Sequence, residues 1–294
     1  MAGTGLRRRS LLLAGSAMVG ACSFDTDRDH QSAQAPGIGP LPRPVRTAWV
    51  FSSGGPRGFV HVGVLKAADE LGLRPDLIVG ASAGALVGAL YASGRTAREI
   101  EALALDLSPW QLARASVGGT ERLSGTAIAE LVREHSQVAL LEDMPVMMAV
   151  AAQRLPDGQV LAFTRGDVGL AVQAASAIEG QFTPVRIRGT RYADADLRQP
   201  LPVRLARQLG AVRVLSVDAS AHEDRAPESA ARYRQGDLYK RSITRPDALA
   251  ADLLLHPEFG YWVSLSREFR ERAIAAGYRS AMASAAAWQA LHRN

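Results

Sequence analysis

The sequence has little cysteine and little lysine, and each shortage narrows what the protein can be. Its 294 residues include one cysteine, so neither a disulfide within the chain nor a metal site built from several cysteines can form. Only Lys66 and Lys240 are lysines, and all other basic residues are arginines. Hydrophobic residues make up 47% of the chain and charged residues 21%, a balance that is typical of a globular protein and excludes a disordered chain or a coiled coil.

The basic charge of the chain is concentrated at its start. The formal net charge is +5, which is compatible with a nucleic-acid or anionic-membrane partner. The densest basic cluster, however, is Arg7, Arg8 and Arg9, which lies where a targeting signal is expected. Residues 1–21 contain no acidic residue, so their removal would bring the net charge close to neutral. We therefore expect no nucleic-acid partner.

Residues 1–21 have the organisation of a bacterial export signal. A basic start is followed by the apolar residues 11–21, which are fewer than the roughly 20 residues needed to span a bilayer. Residues 19–22 (VGAC) resemble a lipobox, which predicts cleavage before Cys22 and a lipid on that cysteine. Residues 8–12 (RRSLL) also resemble part of a twin-arginine signal. The alternative is a cleaved secretory peptide in which Cys22 has no role.

A lipid on Cys22 would anchor the protein in the cell envelope. By resemblance to lipoprotein sorting in enteric bacteria, Ser23 in place of an aspartate favours the periplasmic side of the outer membrane. Residues 22–45 are rich in proline, glycine and small polar residues, which predicts a flexible tether. Residues 46–294 are expected to form the folded domain.

Alternating apolar strands and helices in residues 46–294 predict an α/β fold, a three-layer α/β/α arrangement with a mostly parallel central sheet. Strands at 47–52 and 76–80 are each followed by a helix, at 59–71 and 83–93. Thr96 and Glu99 form the pattern of a capping box. Residues 219–248 predict a polar surface excursion, and residues 266–288 a single closing helix.

The pattern G-x-S-x-G occurs at residues 80–84, between a predicted strand and a predicted helix. In that context a serine lies on a tight turn, its side chain projects from the sheet, and the helix N-terminus supplies amide donors. Ser82 is therefore a candidate nucleophile. Gly80 and Gly84 would allow the strand and helix to approach closely.

Residues 52–58 (SSGGPRG) form a second glycine-rich turn between strand and helix. Such a turn can converge backbone amides on an anion, either an oxyanion or a phosphate. Pro56 has no amide hydrogen, so the candidate donors are the amides of Gly54, Gly55 and Arg57. The Arg57 side chain could bind a lipid phosphate or brace the loop against a carboxylate.

A serine nucleophile needs a base, and two kinds are available. His222 and His256 follow Ser82 in the order that a histidine triad requires, but neither lies in a recognisable motif. Asp194 and Asp196 follow a predicted strand, and a carboxylate in direct contact with the hydroxyl can act as the base. His61 is interpreted as a packing or capping residue.

Three motifs, in this order and spacing, resemble those of the patatin-like phospholipases: residues 53–65 (SGGPRGFVHVGVL), residues 80–84 (GASAG), and Asp194-Ala195 followed by residues 200–203 (PLPV). The resemblance implies Ser82 as nucleophile, Asp194 as base, and an oxyanion hole at Gly54, Gly55 and neighbouring amides. It implies hydrolysis of acyl esters in phospholipids or lysophospholipids, with no metal or organic cofactor.

The sequence departs from the family pattern at two places. Ser53 stands where the family has the first glycine of a triplet, and Ala195 stands where the family has glycine after the aspartate. Alanine tolerates positive φ poorly, so the aspartate loop is expected to differ in backbone, and Asp196 becomes a competing base. Asp194 is favoured because it aligns with the motif.

Apolar residues around Leu86, Trp110 and Leu123 are interpreted as core rather than as an acyl groove. Two other functions stay open on the residues alone. One is a histidine-assisted esterase or thioesterase, and the other is a non-catalytic binding module of the envelope.

Overall fold

The computed structural model describes residues 28–108, 111–116 and 120–293. Cys22, Ser23 and the predicted signal peptide lie outside the described residues. The strands are β1 (Asp29–His30), β2 (Thr47–Phe51), β3 (Leu77–Ala81), β4 (Arg114–Ala115), β5 (Leu123–Ser124), β6 (Met147–Leu155), β7 (Val160–Phe163), β8 (Val185–Ile187), β9 (Thr190–Ala193), β10 (Arg213–Val217) and β11 (Leu253–Leu255). The helices are α1 (Phe59–Leu71), α2 (Ala83–Ala92), α3 (Ala97–Asp106), α4 (Thr126–His135), α5 (Val168–Ala175), α6 (Val203–Gln208), α7 (Arg234–Ala250), α8 (Arg267–Ala283) and α9 (Ala285–Arg293).

The predicted α/β fold is confirmed: a central, mostly parallel sheet is flanked by helices. Its strands follow the order β1-β8-β9-β6-β3-β2-β10-β11, with β7 paired to β6. β6, β3, β2, β10 and β11 are parallel, and their residues are apolar on both faces. In β2, Trp49 and Phe51 join the apolar cluster that contains α1 and α2, whereas Ala48 and Val50 join the cluster that contains α6. Burial on both faces is typical of a parallel sheet covered by helices.

Two strands share one edge of β6. Gln153 pairs with both β7 and β9, and Val150 pairs with both β7 and β3. Because a residue has one neighbour on each side, β7 must lie along one edge of β6, and β3 and β9 along the other.

β3 and β9 run in opposite directions along that edge and meet end to end. The last residue of β3, Ala81, pairs with Ala151 of β6, and the last residue of β9, Ala193, pairs with Gln153 of β6. Because the two strands run in opposite directions, the residues that follow them, Ser82 and Asp194, both come to lie beside Ala152. The sheet register alone brings these two residues together.

The described part of the predicted tether, residues 28–45, packs against the domain instead of extending from it. β1 pairs with β8, and Gly37 exchanges backbone hydrogen bonds with Thr164 and Arg165 beyond the end of β7. Ala35 and Val45 are buried. The composition of this segment predicts a tether because it cannot build a core of its own, but its backbone obtains partners from the existing sheet. The folded unit therefore begins before the predicted residue 46.

The predicted surface excursion at 219–248 contains a helix that the sequence pattern does not show. α7 covers Arg234–Ala250 and includes Pro246. Polar contacts hold it in place: the fully buried Asp247 accepts hydrogen bonds from Gln199 Nε2 at 2.9 Å and from the Arg204 amide at 2.7 Å. Because its anchors are polar, the helix contains few of the apolar residues from which helices are predicted.

The predicted closing helix is divided at Ser284 into α8 and α9. The division carries Trp288 into the core, where its ring lies 5.0 Å from that of Trp49. The capping box at Thr96 and Glu99 is confirmed. Among the described residues, no helix is both long enough and apolar enough to cross a membrane.

α1, which follows the glycine-rich turn, is fixed by a close crossing with α8. A Cβ at Gly63 would overlap the carbonyl oxygen of Ile274, and a Cβ at Gly277 would overlap the carbonyl oxygen of Val60. The two helices can therefore touch backbone to backbone only because both positions lack a side chain.

We predict that Gly277→Ala lowers the free energy of unfolding by about 1–3 kcal/mol, because the added methyl group forces the two helices apart. The matched control is Gly236→Ala in α7, where no atom lies within 4 Å of an added Cβ. That change should stabilise the protein by up to about 1 kcal/mol through helix propensity. Urea unfolding of the full chain measures both, and equal effects would contradict the close crossing.

Candidate active site

Ser82 lies on the sharp turn between β3 and α2. Its backbone has φ 50° and ψ −121°, and its side chain is almost fully buried. A positive φ is rare for a residue with a side chain, and holding it costs on the order of 1–3 kcal/mol. The strained turn that the G-x-S-x-G pattern predicts is present, and it is retained because the strand and helix on both sides fix it.

The flanking glycines allow that turn. A Cβ at Gly80 would lie 2.6 Å from the Cα of Ala85, and a Cβ at Gly84 would overlap the carbonyl oxygen of Phe51. Gly58 is equally restricted, since a Cβ there would lie 2.5 Å from the Cβ of Ala83. β2, β3 and the two helices that follow them are thus packed too closely for larger residues.

Asp194 is the carboxylate that the register brings to Ser82. It is 3% exposed, and its pKa is raised to about 7, first by burial and then by the negative charge of Asp196. Hydrogen bonding from the Ser82 hydroxyl lowers this pKa without offsetting the burial. A carboxylate with a pKa near neutrality is a stronger proton acceptor than an ordinary aspartate.

The hydrogen bonds of Asp194 leave one oxygen available. Oδ1 accepts from the backbone amide of Asp196 at 2.9 Å. Oδ2 is buried and has no partner of standard hydrogen-bond geometry among the described residues. The contact with the Ser82 hydroxyl is therefore looser than an ideal hydrogen bond, as is common for catalytic pairs without substrate.

Ala195 stands where the family has glycine, and the backbone of the aspartate loop is one that alanine can adopt, as expected. Asp194 has φ −60°, and Ala195 begins a short 3-10 turn, Ala195–Leu197, without a positive φ. The Asp194 side chain itself caps this turn through the Asp196 amide. Alanine is tolerated because the loop has adopted a conformation that does not need glycine.

The glycine-rich turn offers two of the three predicted amide donors. Within the described part of the chain, the amides of Gly54 and Gly55 donate to no acceptor, and Gly55 has a positive φ of 50°. The Arg57 amide donates to the Gly54 carbonyl oxygen at 3.0 Å, so the prediction that it belongs to the oxyanion hole is wrong. The amide of Ala83 at the start of α2 has no acceptor within its helix and faces the same region as Ser82.

The Arg57 side chain braces the loop. It is buried, with Nε donating to the Ala219 carbonyl and Nη1 to the Gly260 carbonyl, both at 2.8 Å. Its guanidinium carbon lies 4.2 Å from the centre of the Phe259 ring. Burial lowers its pKa to about 10, which still leaves it charged at neutral pH. The two predicted roles of this side chain are binding of a lipid phosphate and bracing of the loop, and the contacts favour bracing. The guanidinium donates to backbone carbonyl groups, whereas the prediction from the sequence is a carboxylate.

Ser53, one of the two departures from the family pattern, contacts the aspartate loop at Asp196. The Ser53 hydroxyl donates to Oδ1 of Asp196, and the same oxygen forms an ion pair with Lys240 of α7. Lys240 Nζ also lies 3.1 Å from the Ser53 hydroxyl. Asp196 is thereby occupied by a cation and a hydroxyl, so it is a weaker candidate for the base than Asp194.

The histidines are not brought to Ser82. His222 and His256 stack on each other, with ring centres 3.7 Å apart, beyond the end of β10. Their hydrogen bonds go to the His256 and Ser220 carbonyls. His61 packs on Phe51 and donates to the Ser52 carbonyl at 3.0 Å, and burial lowers its pKa to about 4. The predicted packing role of His61 is the one observed.

An apolar cavity of about 180 Å³ opens beside Ser82. Its lining includes Leu86, Leu107, Leu112, Ile128, Ile178, Phe182 and Leu265. Leu86 packs against the apolar core, as interpreted from the sequence, and it also borders this space. Leu123 does not line the cavity, and Trp110 lies outside the described residues.

A sequence model of the patatin-like phospholipase family matches residues 49–207, which is more than half of the chain and includes the glycine-rich turn, Ser82 and Asp194. The chain belongs to the patatin-like phospholipase family.

Patatin-like relatives occur in bacteria, fungi and animals. The chain is 30% identical over 181 residues to an uncharacterized NTE family protein of Mycobacterium tuberculosis, covering 60% of this chain and 50% of that protein. It is 27% identical over 188 residues to patatin-like phospholipase domain-containing protein 6 of Homo sapiens, with 60% and 14% covered. It is 25% identical over 184 residues to lysophospholipase NTE1 of Candida albicans, with 60% and 13% covered. The chain thus spans half or less of the length of these relatives.

Among solved structures, the chain matches VipD from Legionella pneumophila with a TM-score of 0.47 and 13% identity, covering 90% of this chain and 71% of that one. The type III effector ExoU has a TM-score of 0.44 and 14% identity, covering 86% and 54%.

Sequence reasoning missed two parts of this patatin-like site. Lys240 lies in no motif, and its only signal is that the chain has two lysines. The cavity is built from helices α2, α4 and the loops around them, which are distant in sequence. Ser53 was noted only as a departure, and its contact with Asp196 depends on a fold that brings residues 143 positions apart into contact.

The raised pKa of Asp194 predicts a pH-dependent stability cost. A carboxyl with a pKa near 7 when folded and 3.8 when unfolded holds its proton more tightly in the folded state. Stability should therefore fall as the pH rises from about 4 to 7, by about 2–4 kcal/mol from this group. We expect Asp194→Asn to be more stable than wild type at pH 8, and the difference to disappear near pH 4. Urea unfolding at several pH values measures this, and parallel pH profiles for the two proteins would contradict it.

Proposed function

We propose that this protein is a serine acyl hydrolase of the phospholipase A or lysophospholipase type, with Ser82 as nucleophile and Asp194 as base. The observation that carries the proposal is the apolar cavity beside Ser82, which offers space for a fatty-acyl chain next to a hydroxyl and a buried carboxylate of raised pKa. Family membership and the name of the Candida albicans relative, a lysophospholipase, support a lipid substrate.

The first half of the proposed reaction forms an acyl-enzyme. Asp194 takes the proton of the Ser82 hydroxyl while the serine oxygen attacks the ester carbonyl. The carbonyl oxygen becomes an oxyanion, which the amides of Gly54 and Gly55 stabilise. When the tetrahedral intermediate collapses, the C–O bond to the alcohol breaks, and Asp194 returns its proton to the departing alkoxide.

The second half releases the fatty acid. Water attacks the acyl carbonyl, and Asp194 accepts one of its protons. The bond to the serine oxygen then breaks, and the proton passes from Asp194 back to Ser82. Asp194 must be ionised at the start of both halves, so activity should rise with pH through the pKa of this group, near 7.

We also propose, from the sequence, that Cys22 carries a lipid and holds the domain at the cell envelope, on the periplasmic side of the outer membrane. The support is the position of the single cysteine at the end of a lipobox-like segment. Incorporation of labelled palmitate by wild type, and its absence in Cys22→Ser, would test this assignment.

The proposed dyad predicts a loss of at least about 10³-fold in turnover for both Ser82→Ala and Asp194→Asn, because each removes an atom that must bond or transfer a proton. Asp196→Asn is the matched control and should retain turnover within about tenfold, since Asp196 is held by Ser53 and Lys240. The measurement is a fatty-acid release screen over phospholipid and lysophospholipid classes.

Equal rates for wild type and Ser82→Ala would rule out the dyad. A greater loss in Asp196→Asn than in Asp194→Asn would reassign the base. Loss of activity in His222→Ala or His256→Ala, with the protein folded, would favour the histidine-assisted esterase.

Lys240 should set the pH at which the enzyme becomes active. It compensates the charge of Asp196, which raises the pKa of Asp194. Removing Lys240 as Lys240→Met leaves that charge uncompensated, so the pKa of Asp194 rises further and the acidic limb of kcat/KM moves to higher pH. Lys240→Arg should keep the wild-type profile.

The control for Lys240 is its neighbour Arg241, which pairs with Glu223 at 2.8 Å on the surface. Arg241→Met should leave the acidic limb in place. The profile is measured on a soluble short-chain ester. An acidic limb that stays fixed in Lys240→Met, or moves equally in Arg241→Met, would contradict this role.

A further inference from the structure

The exposed large hydrophobic side chains of this protein are concentrated on two short segments. Of the eleven such side chains among the described residues, six lie here. They are Trp262, Val263 and Leu265 on the loop after β11, and Tyr233, Leu238 and Tyr239 at the start of α7. We call these six residues the apolar rim. A contiguous exposed apolar surface is unusual on a soluble domain and marks a site of interaction.

Aromatic contacts join the two segments into one surface. The ring of Trp262 packs edge-on against Tyr233, at 6.0 Å between ring centres, and against Tyr261, at 5.2 Å. The Tyr261 hydroxyl donates to Asp237 of α7 at 2.7 Å. Trp262 is held in place by these neighbours and is still 47% exposed.

One residue of the apolar rim, Leu265, also lines the cavity beside Ser82. Leu265 is 42% exposed, so it belongs to both surfaces. The loop before it is tied to the glycine-rich turn through the bond from Arg57 to the Gly260 carbonyl. On the other side, the Tyr239 hydroxyl donates to the carbonyl of Leu197, three residues after Asp194.

The segments that carry the rim, residues 223–241 and 256–268, contain six basic and six acidic residues. Glu258 pairs with Arg225, and Glu223 pairs with Arg241. The guanidinium of Arg232 lies over the Tyr233 ring, with its carbon 4.6 Å from the ring centre. Tryptophan and tyrosine with snorkelling arginine are typical of the membrane–water interface. Because the charges balance in number, the surface has little net field, which favours a zwitterionic lipid surface over an anionic one.

The chain also enters the fold on the side where the active site lies. Asp29 of β1 pairs with Arg186 of β8, and Arg186 pairs with Arg191 of β9. Arg191 lies two residues before Ala193, the last residue of β9. β1 is two strand spacings, about 10 Å, from β9. The predicted lipid-bearing Cys22 precedes Arg28 by six residues, an extended length of at most about 20 Å. A lipid at that position would keep the side of the domain on which β9 ends and Ser82 lies near a bilayer.

We propose that the apolar rim docks on a zwitterionic lipid surface and places the cavity opening against it, so that an acyl chain passes from the bilayer to Ser82 without crossing water. The inference rests on the proposed function, which makes a lipid the substrate. Docking depends on insertion of Trp262 and Val263, and it does not depend on attraction between opposite charges.

The test uses the full-length chain with Cys22→Ser, so that no lipid on residue 22 contributes to binding. Sedimentation with phosphatidylcholine vesicles compares this protein with the double variant Trp262→Ser and Val263→Ser. The control is Val212→Ser with Leu249→Ser, two exposed apolar residues outside the rim. We expect the rim variant to bind at least about tenfold more weakly, the control to bind as the parent does, and high salt to have little effect.

Two hydrolysis assays separate this inference from the proposed function. The rim variant should keep its turnover of a soluble short-chain ester and lose hydrolysis of vesicle phospholipid. Equal vesicle binding by parent and rim variant, an equal loss in the control, or binding that requires anionic lipid and disappears at high salt would each overturn the docking proposal. A parent that hydrolyses no ester but binds vesicles through Trp262 and Val263 would instead overturn the proposed function and leave the docking surface standing.

Discussion

The arrangement of this protein depends on one buried carboxyl group, Asp194, held against the Ser82 turn. β3 and β9 approach each other along one edge of β6, and each delivers one residue to the point where they meet. Burial at that point raises the pKa of Asp194 to about 7, which suits the role of base that we propose for it. The same burial destabilises the fold, as does the positive φ of Ser82. The sheet and its helices must therefore be stable enough to hold both groups in costly states.

One departure of this chain from the family pattern is tied to the charge next to Asp194. Ser53 stands where the family has a glycine, and its hydroxyl donates to Asp196, two residues after Asp194. An unpaired Asp196 would make Asp194 harder to ionise, and Lys240 on α7 compensates that charge. α7 thus connects the glycine-rich turn and the aspartate loop through a single cation. These contacts help to hold in place a helix that has few apolar residues.

Sequence reasoning reaches far where the signal is local. The strand–turn–helix context identifies Ser82, the capping box at Thr96 sets the start of α3, and apolar runs locate the parallel strands. It fails where contacts between distant residues decide the structure. Residues 28–45 lack a core of their own and borrow the backbone of the sheet, and α7 is fixed by polar partners. The Arg57 amide is a local exception: its acceptor, the Gly54 carbonyl, lies in the same turn, and the backbone conformation of that turn decides the hydrogen bond.

The central claim is that Asp194 activates Ser82, and covalent labelling tests it without any assumption about the lipid. A fluorophosphonate probe reacts with a serine only where a base removes the hydroxyl proton. The measurement is the rate of labelling as a function of pH, with the modified peptide identified by mass spectrometry. The account predicts modification of Ser82 with a rate that rises through pH 7 and is lost in Asp194→Asn. Labelling of Ser82 at an unchanged rate in Asp194→Asn would contradict it.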